Sequence, residues 1–173
     1  MIAADVAKVA GLMFVAALFQ TSFIGAFEIA GGTADLVLVA LAAIALLRGS
    51  IYGAAAGFFV GLILDTANLE TLGQTSFLLT IAGYWIGRYG ETTGRDRSHA
   101  PLLSVAVITV LYAFAALALH VVLGDPVNAR VVLVDALLPA IVLNLLLTVP
   151  VYALTKRILG PPEWRRAEVR LLG

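Results

Sequence analysis

Six apolar stretches separated by short polar connections run along the chain. They cover residues 9–27, 36–47, 51–64, 72–85, 102–123 and 136–154. The first stretch and the last two have about the 20-residue length that an α-helix needs to cross about 30 Å of hydrocarbon. The fourth reaches this length if it continues to Tyr89 while Arg88 extends its charged end to the membrane surface. The pattern therefore predicts four helices that are long enough to span a membrane.

The second and third stretches are short, with 12 and 14 residues. Each spans a bilayer if residues 31–35 and 49–65 add end turns, or if the bilayer is locally thinned. Alternatively, the two stretches form a re-entrant hairpin. A hairpin would leave Arg48 in the middle of the membrane, at a cost of about 2.5 to 3.5 kcal/mol. We therefore favour six membrane crossings over the hairpin.

Basic residues fall almost entirely on one side of such a six-helix arrangement. The ten on this side are Lys8, Arg48, Arg88, Arg95, Arg97, Lys156, Arg157, Arg165, Arg166 and Arg170. The connections on the other side contain one basic residue, Arg130, and the acidic residues Glu28, Asp35, Asp65, Glu70, Asp125 and Asp135. Cytoplasmic connections of membrane proteins are enriched in lysine and arginine. The N and C termini are therefore both predicted to be cytoplasmic.

The composition agrees with an all-α integral membrane protein. Hydrophobic residues make up 61% of the chain and charged residues 13%, and the mean hydropathy is +1.01. A soluble domain of this length cannot bury so much apolar surface. We assign residues 1–160 to one six-helix membrane domain and residues 161–173 to a basic cytoplasmic tail. The tail suits contact with lipid headgroups, and a docking motif for a protein is the alternative.

No catalytic or metal-binding pattern is present in the sequence. Cysteine is absent, which excludes disulfides and thiolate ligands. The two histidines, His99 and His120, lie in a cytoplasmic connection and near the outer end of the fifth helix, so they do not form a cluster. A metal site or a catalytic triad needs several converging side chains. We therefore predict that the protein is not an enzyme and needs no cofactor or metal, and that His120 packs between helices.

Glycines recur at every fourth residue of the third helix. Gly49, Gly53, Gly57 and Gly61 form one stripe on a helix, and Gly83 and Gly87 have the same spacing on the fourth helix. Such stripes let two helix backbones touch inside a membrane. The stripe either packs helices within this chain or contributes to a surface for a partner helix.

Asp65 and Asn144 are polar residues within or beside apolar helices. Asp65 lies one further step of four beyond Gly61, at the predicted outer end of the third helix. It is either a simple charge at a helix end or an acceptor for backbone amides of the next segment. Asn144 lies deep in the sixth helix, between Pro139 and Pro150. An asparagine at such a depth usually hydrogen-bonds a neighbouring helix.

Several of these residues together resemble one known protein family. They are Asp35, Arg48, Gly49, Gly57, Gly61, Leu62, Asp65, Leu72, Gly73, Gly83, Tyr84, Gly87, Asn144, Leu145 and Pro150, followed by the basic tail. Their order is similar to that of the rod shape-determining protein MreD family. The sharpest part is GFFVGLILDTANLETLGQ, where the family has a G-x-x-x-G-L-x-x-D segment followed by Leu-Gly. Ala34 departs from the pattern, because the family usually has proline before the aspartate of the second helix.

The resemblance implies a non-catalytic multi-pass protein of the bacterial inner membrane that takes part in cell elongation. The implied partner is the bitopic protein MreC, and through it RodA, its transpeptidase partner and the MreB filament. Nucleic acid is not an implied partner, and the sequence does not indicate self-association. The MreD family is also similar in fold to the substrate-binding S components of energy-coupling-factor vitamin transporters. An S component is therefore the alternative function.

The alternative needs a polar, aromatic-lined cavity. Its candidate lining residues are Gln20, Glu28, Gln74, Trp85, Tyr112, His120 and Asn144. For the scaffold we expect instead that Gly53, Gly57 and Gly61 build or support a surface for an outside helix, with Asp65 fixing its depth. Gly73, Gly83, Tyr84 and Gly87 complete this candidate set for partner binding or helix packing. On this hypothesis, Gly57→Leu abolishes partner association while the protein stays inserted.

Overall fold

Within its described residues, the protein is all-helical. The computed structural model describes residues 2–22, 31–69, 71–92, 99–124 and 130–160. Six α-helices lie in these ranges: α1 Ile2–Ser22, α2 Leu36–Arg48, α3 Ser50–Asn68, α4 Gln74–Thr92, α5 Ala100–Leu123 and α6 Leu137–Leu159. A π-helical segment, Val131–Ala136, leads directly into α6. The prediction of an all-α membrane protein agrees with this architecture.

Contacts at the ends of α1 and α2 show that these helices run antiparallel. At the end of α1, Gln20 donates a hydrogen bond of 3.1 Å to the carbonyl of Ala34, just before α2. At the other end of the pair, the carboxylate of Asp5 lies 3.5 Å from the guanidinium of Arg48. The direction of the chain therefore reverses between α1 and α2.

The helix α2 runs parallel to α6. The amide of Asp35, which precedes α2, donates to the side chain of Asn144 at 2.7 Å. Arg48, the last residue of α2, donates to the carbonyl of Leu159 at the end of α6. We call the end of the bundle that contains Arg48 and Leu159 the Arg48 end, and the opposite end, where α2 begins, the Asp35 end.

Four helices are long and apolar enough to cross a membrane, namely α1, α3, α5 and α6. The helix α4 has 19 residues but includes Arg88 and Glu91 near its end. The helix α2 has only 13 residues, which corresponds to a length of about 20 Å. The described residues thus form a multi-pass membrane protein that combines long outer helices with one short helix.

The short helix α2 lies at the centre of the fold. Eleven of its 13 residues are buried, with no exposed face. A helix that is apolar on all sides, as this one is from Leu36 to Leu47, is stable when other protein surrounds it. The surrounding helices turn large apolar side chains outward, among them Phe59, Trp85 and Leu146. Their exposure is what a surface in contact with lipid requires.

The predicted start of the first helix is wrong. The first helix begins at Ile2 rather than at residue 9, so Lys8 lies within α1 instead of before it. Alanines at positions 3, 4 and 7 are strong helix formers, and Asp5 is favourable in the first turn of a helix. The helix therefore starts before the apolar stretch does. At its other end α1 reaches Ser22, and residues 23–27 of the predicted stretch lie outside the described residues.

The third helix is longer than its apolar stretch. The helix α3 has 19 residues and includes Asp65 in its last turns, in agreement with the predicted position at the outer end of this helix. It continues because the carboxylate of Asp65 has hydrogen-bond partners within the protein, as described below. The predicted tail at 161–173, together with Glu28, Glu70, Arg95, Arg97 and Asp125, lies outside the described residues.

Candidate functional site

The glycines of α3 lie against α4, where the two backbones touch. A Cβ added at Gly53, Gly57 or Gly61 would come within 2.4, 2.3 and 2.2 Å of backbone atoms of α4. From the other side, a Cβ added at Gly83 or Gly87 would come within 2.2 and 2.4 Å of the backbone of α3. These spaces accept a hydrogen atom and no larger group. The five glycines therefore form one close crossing of α3 and α4.

This crossing is antiparallel and covers the stripe. Gly53 faces Gly83, whereas Gly61 faces Ser76, so the residue numbers run in opposite directions. Because α4 lies on the glycines, an outside helix does not reach them in this structure. The proposed Gly57→Leu test is therefore unsuitable, since a leucine side chain there collides with the backbone of α4 around Leu79. Such a variant perturbs the fold and does not isolate partner binding.

Asp65 belongs to α3 but caps the start of α4. Its carboxylate accepts hydrogen bonds from the amides of Gly73, Thr75 and Ser76, with N···O distances of 2.7, 3.0 and 3.4 Å. The first N–H groups of a helix have no partner within that helix, and negative charge is favoured near them. Gly73 has a φ of 95°, which glycine adopts without strain. Asp65 is only 1% exposed, and these amides compensate its burial.

Glu91 makes the reciprocal arrangement at the Arg48 end. Its Oε1 atom accepts hydrogen bonds from the amide and the hydroxyl of Ser50 at 2.7 and 2.9 Å, and its Oε2 atom lies 3.3 Å from Arg88. A carboxylate of each helix therefore caps the N-terminus of the other. Sequence reasoning missed Glu91. The serine after Gly49 indicates the start of a helix. Its partner Glu91 lies 41 positions away in the sequence, so the pair can be recognised only once α3 and α4 are known to pack together.

Asn144 connects three helices inside the bundle. Its Oδ1 atom accepts from the amide of Asp35 at 2.7 Å, and its Nδ2 atom donates to Thr109 of α5 at 3.1 Å. The expected hydrogen bond to a neighbouring helix is therefore present. His120, nearer the Asp35 end of α5, lies 3.4 Å from the side chain of Gln74 on α4. The two intramembrane polar residues thus contact different helices.

Arg48 joins three helices at the opposite end of the bundle. Its guanidinium lies 3.5 Å from Asp5 of α1 and donates to the carbonyl of Leu159 of α6. The residue is 3% exposed, although the sequence placed it in an open connection. Positive charge is favourable at the C-termini of α2 and α6, where carbonyl groups lack partners. Arg48 therefore holds helix ends together.

An apolar groove runs between α4 and α5 on the outside of the bundle. Two adjoining cavities of about 380 and 250 Å³ form it, and Trp85, Ile108 and Leu111 line both. Ala115 and Ala118 of α5 line the larger cavity. Trp85 is 62% exposed. Tyr84 lies beside it, with the two rings edge to face and their centroids 5.8 Å apart. Tyr84 thus lies away from the glycine crossing, on the exposed side of α4.

A second, more polar pocket of about 300 Å³ lies at the Asp35 end. It is bounded by the start of α2, α5 and the beginning of α6, and its polar lining residues are Thr33, Asp35, Thr109, Tyr112, His120 and Asn144. Three of the candidate capture residues, Tyr112, His120 and Asn144, therefore meet at one pocket. Its volume is at the lower limit of ordinary ligand sites.

The remaining capture candidates lie elsewhere. Gln20 binds the backbone of Ala34 and Leu36, Gln74 contacts His120, and Trp85 faces the apolar groove. Glu28 lies outside the described residues. Within the described residues, no group of three or more histidine, aspartate or glutamate side chains is arranged to hold a metal ion.

Comparison with known proteins agrees with the resemblance seen in the sequence. The profile of the family described as rod shape-determining protein MreD matches residues 6–158 of the 173-residue chain. The match extends over all six helices, from the second turn of α1 almost to the end of α6. No curated protein and no solved structure matches the chain. The chain therefore belongs to the MreD family of rod shape-determining membrane proteins.

Proposed function

We propose that the protein is a non-catalytic scaffold of the cell elongation machinery in the bacterial inner membrane. In this role it binds MreC and, through MreC, supports the work of RodA, its transpeptidase partner and MreB in lateral peptidoglycan synthesis. The observation that carries the proposal is the family match over residues 6–158. The glycine contacts and the reciprocal caps fix α3 and α4 relative to each other, which supports a rigid scaffold.

The proposed topology has six crossings with both termini in the cytoplasm. Arg48, Arg88, Lys156 and Arg157 all lie at or near helix ends of the Arg48 end, whereas Arg130 precedes α6 at the other end. This distribution supports a cytoplasmic Arg48 end. The short helix α2 crosses without contacting much lipid, because the longer helices surround it. Its length of about 20 Å is therefore compatible with a spanning position.

The proposed binding surface for the transmembrane helix of MreC is the groove between α4 and α5. The groove extends along α4 from Phe77 to Tyr89, which is about 18 Å of helix. Alanines at positions 115 and 118 allow the backbone of an outside helix to approach α5. Aromatic side chains such as Trp85 then provide a large apolar contact area. An apolar helix without charged residues matches this lining.

In this proposal the glycine crossing supports the surface and does not form it. The contacts at Gly53, Gly57 and Gly61 keep α4 at a fixed distance from α3. Asp65 keeps α4 at a fixed height, because its carboxylate binds the first amides of that helix. The position of Trp85 relative to α5 therefore depends on the glycine contacts with α3 and on the hydrogen bonds of Asp65. The candidate site residues would thus affect partner binding through α4.

The test is purification of the tagged protein from its native membrane in mild detergent, followed by identification of the proteins that co-elute. Ala115→Trp places a large side chain in the groove, at an exposed position. We expect it to reduce recovery of MreC at least tenfold while the protein remains inserted. Ala153→Trp is the matched control, because Ala153 is exposed on α6 outside the groove. It should leave recovery unchanged.

Two results would contradict the proposal. If both tryptophan variants retain MreC equally, the groove is not its binding surface. If MreC is absent and the transmembrane subunit and ATPases of an energy-coupling-factor transporter co-elute, the protein is a substrate-capture component. The pocket beside Asp35, Tyr112 and His120 is the observation that keeps this alternative open.

A further inference from the structure

The short helix α2 leaves a recess at the Asp35 end. The helices α5 and α6 have 24 and 23 residues against 13 for α2. Asp35 meets α6 at Asn144, so α6 and the π-helical segment before it continue 14 residues farther, to Arg130. The two longer helices therefore form walls above the N-terminus of α2. The pocket of about 300 Å³ occupies this recess.

The floor of the pocket is held in place by buried contacts. Asn144, 1% exposed, binds the amide of Asp35 with one side-chain atom and the hydroxyl of Thr109 with another. The segment that enters α2 packs closely on α6, since a Cβ added at Gly32 would lie 2.7 Å from the amide nitrogen of Ala140. The recess is therefore a built cavity with fixed polar groups and not a gap between loosely packed helices.

Asp35 brings a carboxyl group to this cavity. Its Oδ1 atom accepts from the amide of Leu38 at 2.8 Å and thereby caps α2. Serine, threonine or asparagine caps a helix about as well without a charge. A carboxylate in a low-dielectric site is stabilised by several hydrogen-bond donors, as at Asp65, or by a positive partner. The described residues that line the pocket include no lysine or arginine, and the one histidine among them, His120, contacts Gln74. The carboxyl group of Asp35 therefore suits a cationic hydrogen-bond donor from outside this set of residues.

The rest of the lining is mainly apolar. Ala113, Ala116, Leu117 and Leu137 form much of the walls. A ligand that fits this combination has one positively charged hydrogen-bond donor and a short apolar body. An inorganic cation fits less well, because it needs several converging oxygen ligands, whereas Asn144 and Thr109 are already hydrogen-bonded and much of the wall consists of methyl groups.

We propose that this pocket binds a primary ammonium group attached to a short apolar body. The ammonium group donates to the carboxylate of Asp35, and the apolar part contacts the alanine walls beside Ala113 and Ala116. A free organic amine has this chemistry. The headgroup of phosphatidylethanolamine shares its ammonium group and two methylenes, which are followed by an anionic phosphate that has to stay outside the pocket. The site adjoins the groove between α4 and α5 only at Tyr112, which lines both, and its proposed ligand does not depend on the binding of MreC.

The experiment compares three ligands with the same apolar body and different head groups. Thermal unfolding of the purified full chain in detergent is measured with n-hexylamine, 1-hexanol and hexanoate, because a ligand that binds the folded state raises the Tm. We expect saturable stabilisation by the ammonium ligand, at a concentration about tenfold lower than for the alcohol. Hexanoate should not stabilise, since its charge repels Asp35.

Asp35→Asn and its control test whether the charge of Asp35, and not a change in the fold, selects the ammonium head group. Asp35→Asn keeps a side chain that caps α2, and we expect it to abolish the preference for the ammonium head group. Asp135→Asn is the matched control, because Asp135 is an exposed carboxylate at the same end of the protein. It should retain the preference. Ala116→Leu fills the pocket and should abolish binding of both the amine and the alcohol.

Lipid nanodiscs distinguish the two sources of the amine. If phosphatidylethanolamine stabilises the wild type more than phosphatidylglycerol does, and Asp35→Asn removes the difference, the natural ligand chemistry is that of the lipid headgroup. If only the soluble amine has this effect, the ligand is a free amine. Equal stabilisation of wild type and Asp35→Asn by hexylamine, or stabilisation that does not saturate, would overturn the proposal.

Discussion

The contact between α3 and α4 at Gly57 gives the sharpest prediction about stability. In Gly57→Ala the added methyl carbon would lie 2.3 Å from the carbonyl oxygen of Leu79 and 2.6 Å from its carbonyl carbon. Ordinary van der Waals contacts of a Cβ begin at 3.4 Å. The obstacle is backbone, so no rotation of a side chain relieves it. The two helices must separate locally by about 1 Å.

The expected decrease in the free energy of unfolding of Gly57→Ala is the difference between two opposing contributions. Overpacking of a close interface costs about 1 to 3 kcal/mol, and a collision with backbone falls at the upper end of this range. Replacing glycine by alanine within a helix returns about 1 kcal/mol. The net decrease in the free energy of unfolding is therefore about 2 kcal/mol. Separation of the helices also weakens the neighbouring contacts at Gly53 and Gly61.

Gly11→Ala is the matched control. Gly11 lies within α1, and an added Cβ there meets nothing within 4 Å. This variant receives the helix-propensity gain without the collision, so the two variants should differ by about 3 kcal/mol. The assay is reversible unfolding in mixed micelles with increasing dodecyl sulfate, followed by circular dichroism. Equal stability of the two variants would refute the assignment of Gly57 to a backbone contact.

Two further predictions concern Asp65 and the topology. Asp65→Ala leaves the amides of Gly73 and Thr75 without their acceptor. It should lower the free energy of unfolding by about 3 kcal/mol in the same assay. Stability equal to that of the control variant Asp135→Ala would contradict this prediction. Because the chain has no cysteine, a single introduced cysteine reports on which side of the membrane its position lies. An impermeant maleimide should label Thr71→Cys, on the outer side, in intact cells. It should label Thr92→Cys, on the cytoplasmic side, only after permeabilisation. Labelling of both from the same side would rule out six crossings.

The sequence predicted the helices well because backbone polar groups in the hydrocarbon region must form hydrogen bonds within the protein, which an apolar α-helix achieves along its whole length. Each of the six apolar stretches contains most of one helix. Boundaries were less accurate where polar residues have partners inside the protein. Asp65 ended the predicted third segment because a carboxylate is costly in a membrane, and the structure compensates it with amides of α4.

The site was less predictable, because its parts come from distant positions. The spacing of Gly53, Gly57 and Gly61 indicated a close helix contact, but not that α4 makes it. Glu91 and Ser50 pair only after α3 and α4 lie antiparallel. The pocket at Asp35 depends on the difference in length between α2 and its neighbours. The hydropathy pattern identifies a short apolar segment but does not show which longer helices pack beside it.

The enclosed position of α2 separates the order of synthesis from the order of assembly. The ribosome releases α2 early, yet Asp35 and Arg48, at its two ends, bind Asn144 and Leu159 of the last helix. Until α6 is made, more than a hundred residues later, these contacts do not exist. The helices α3 and α4 are neighbours in the chain and can pair at once. Assembly of the bundle is therefore complete only when the last helix packs against the short second helix.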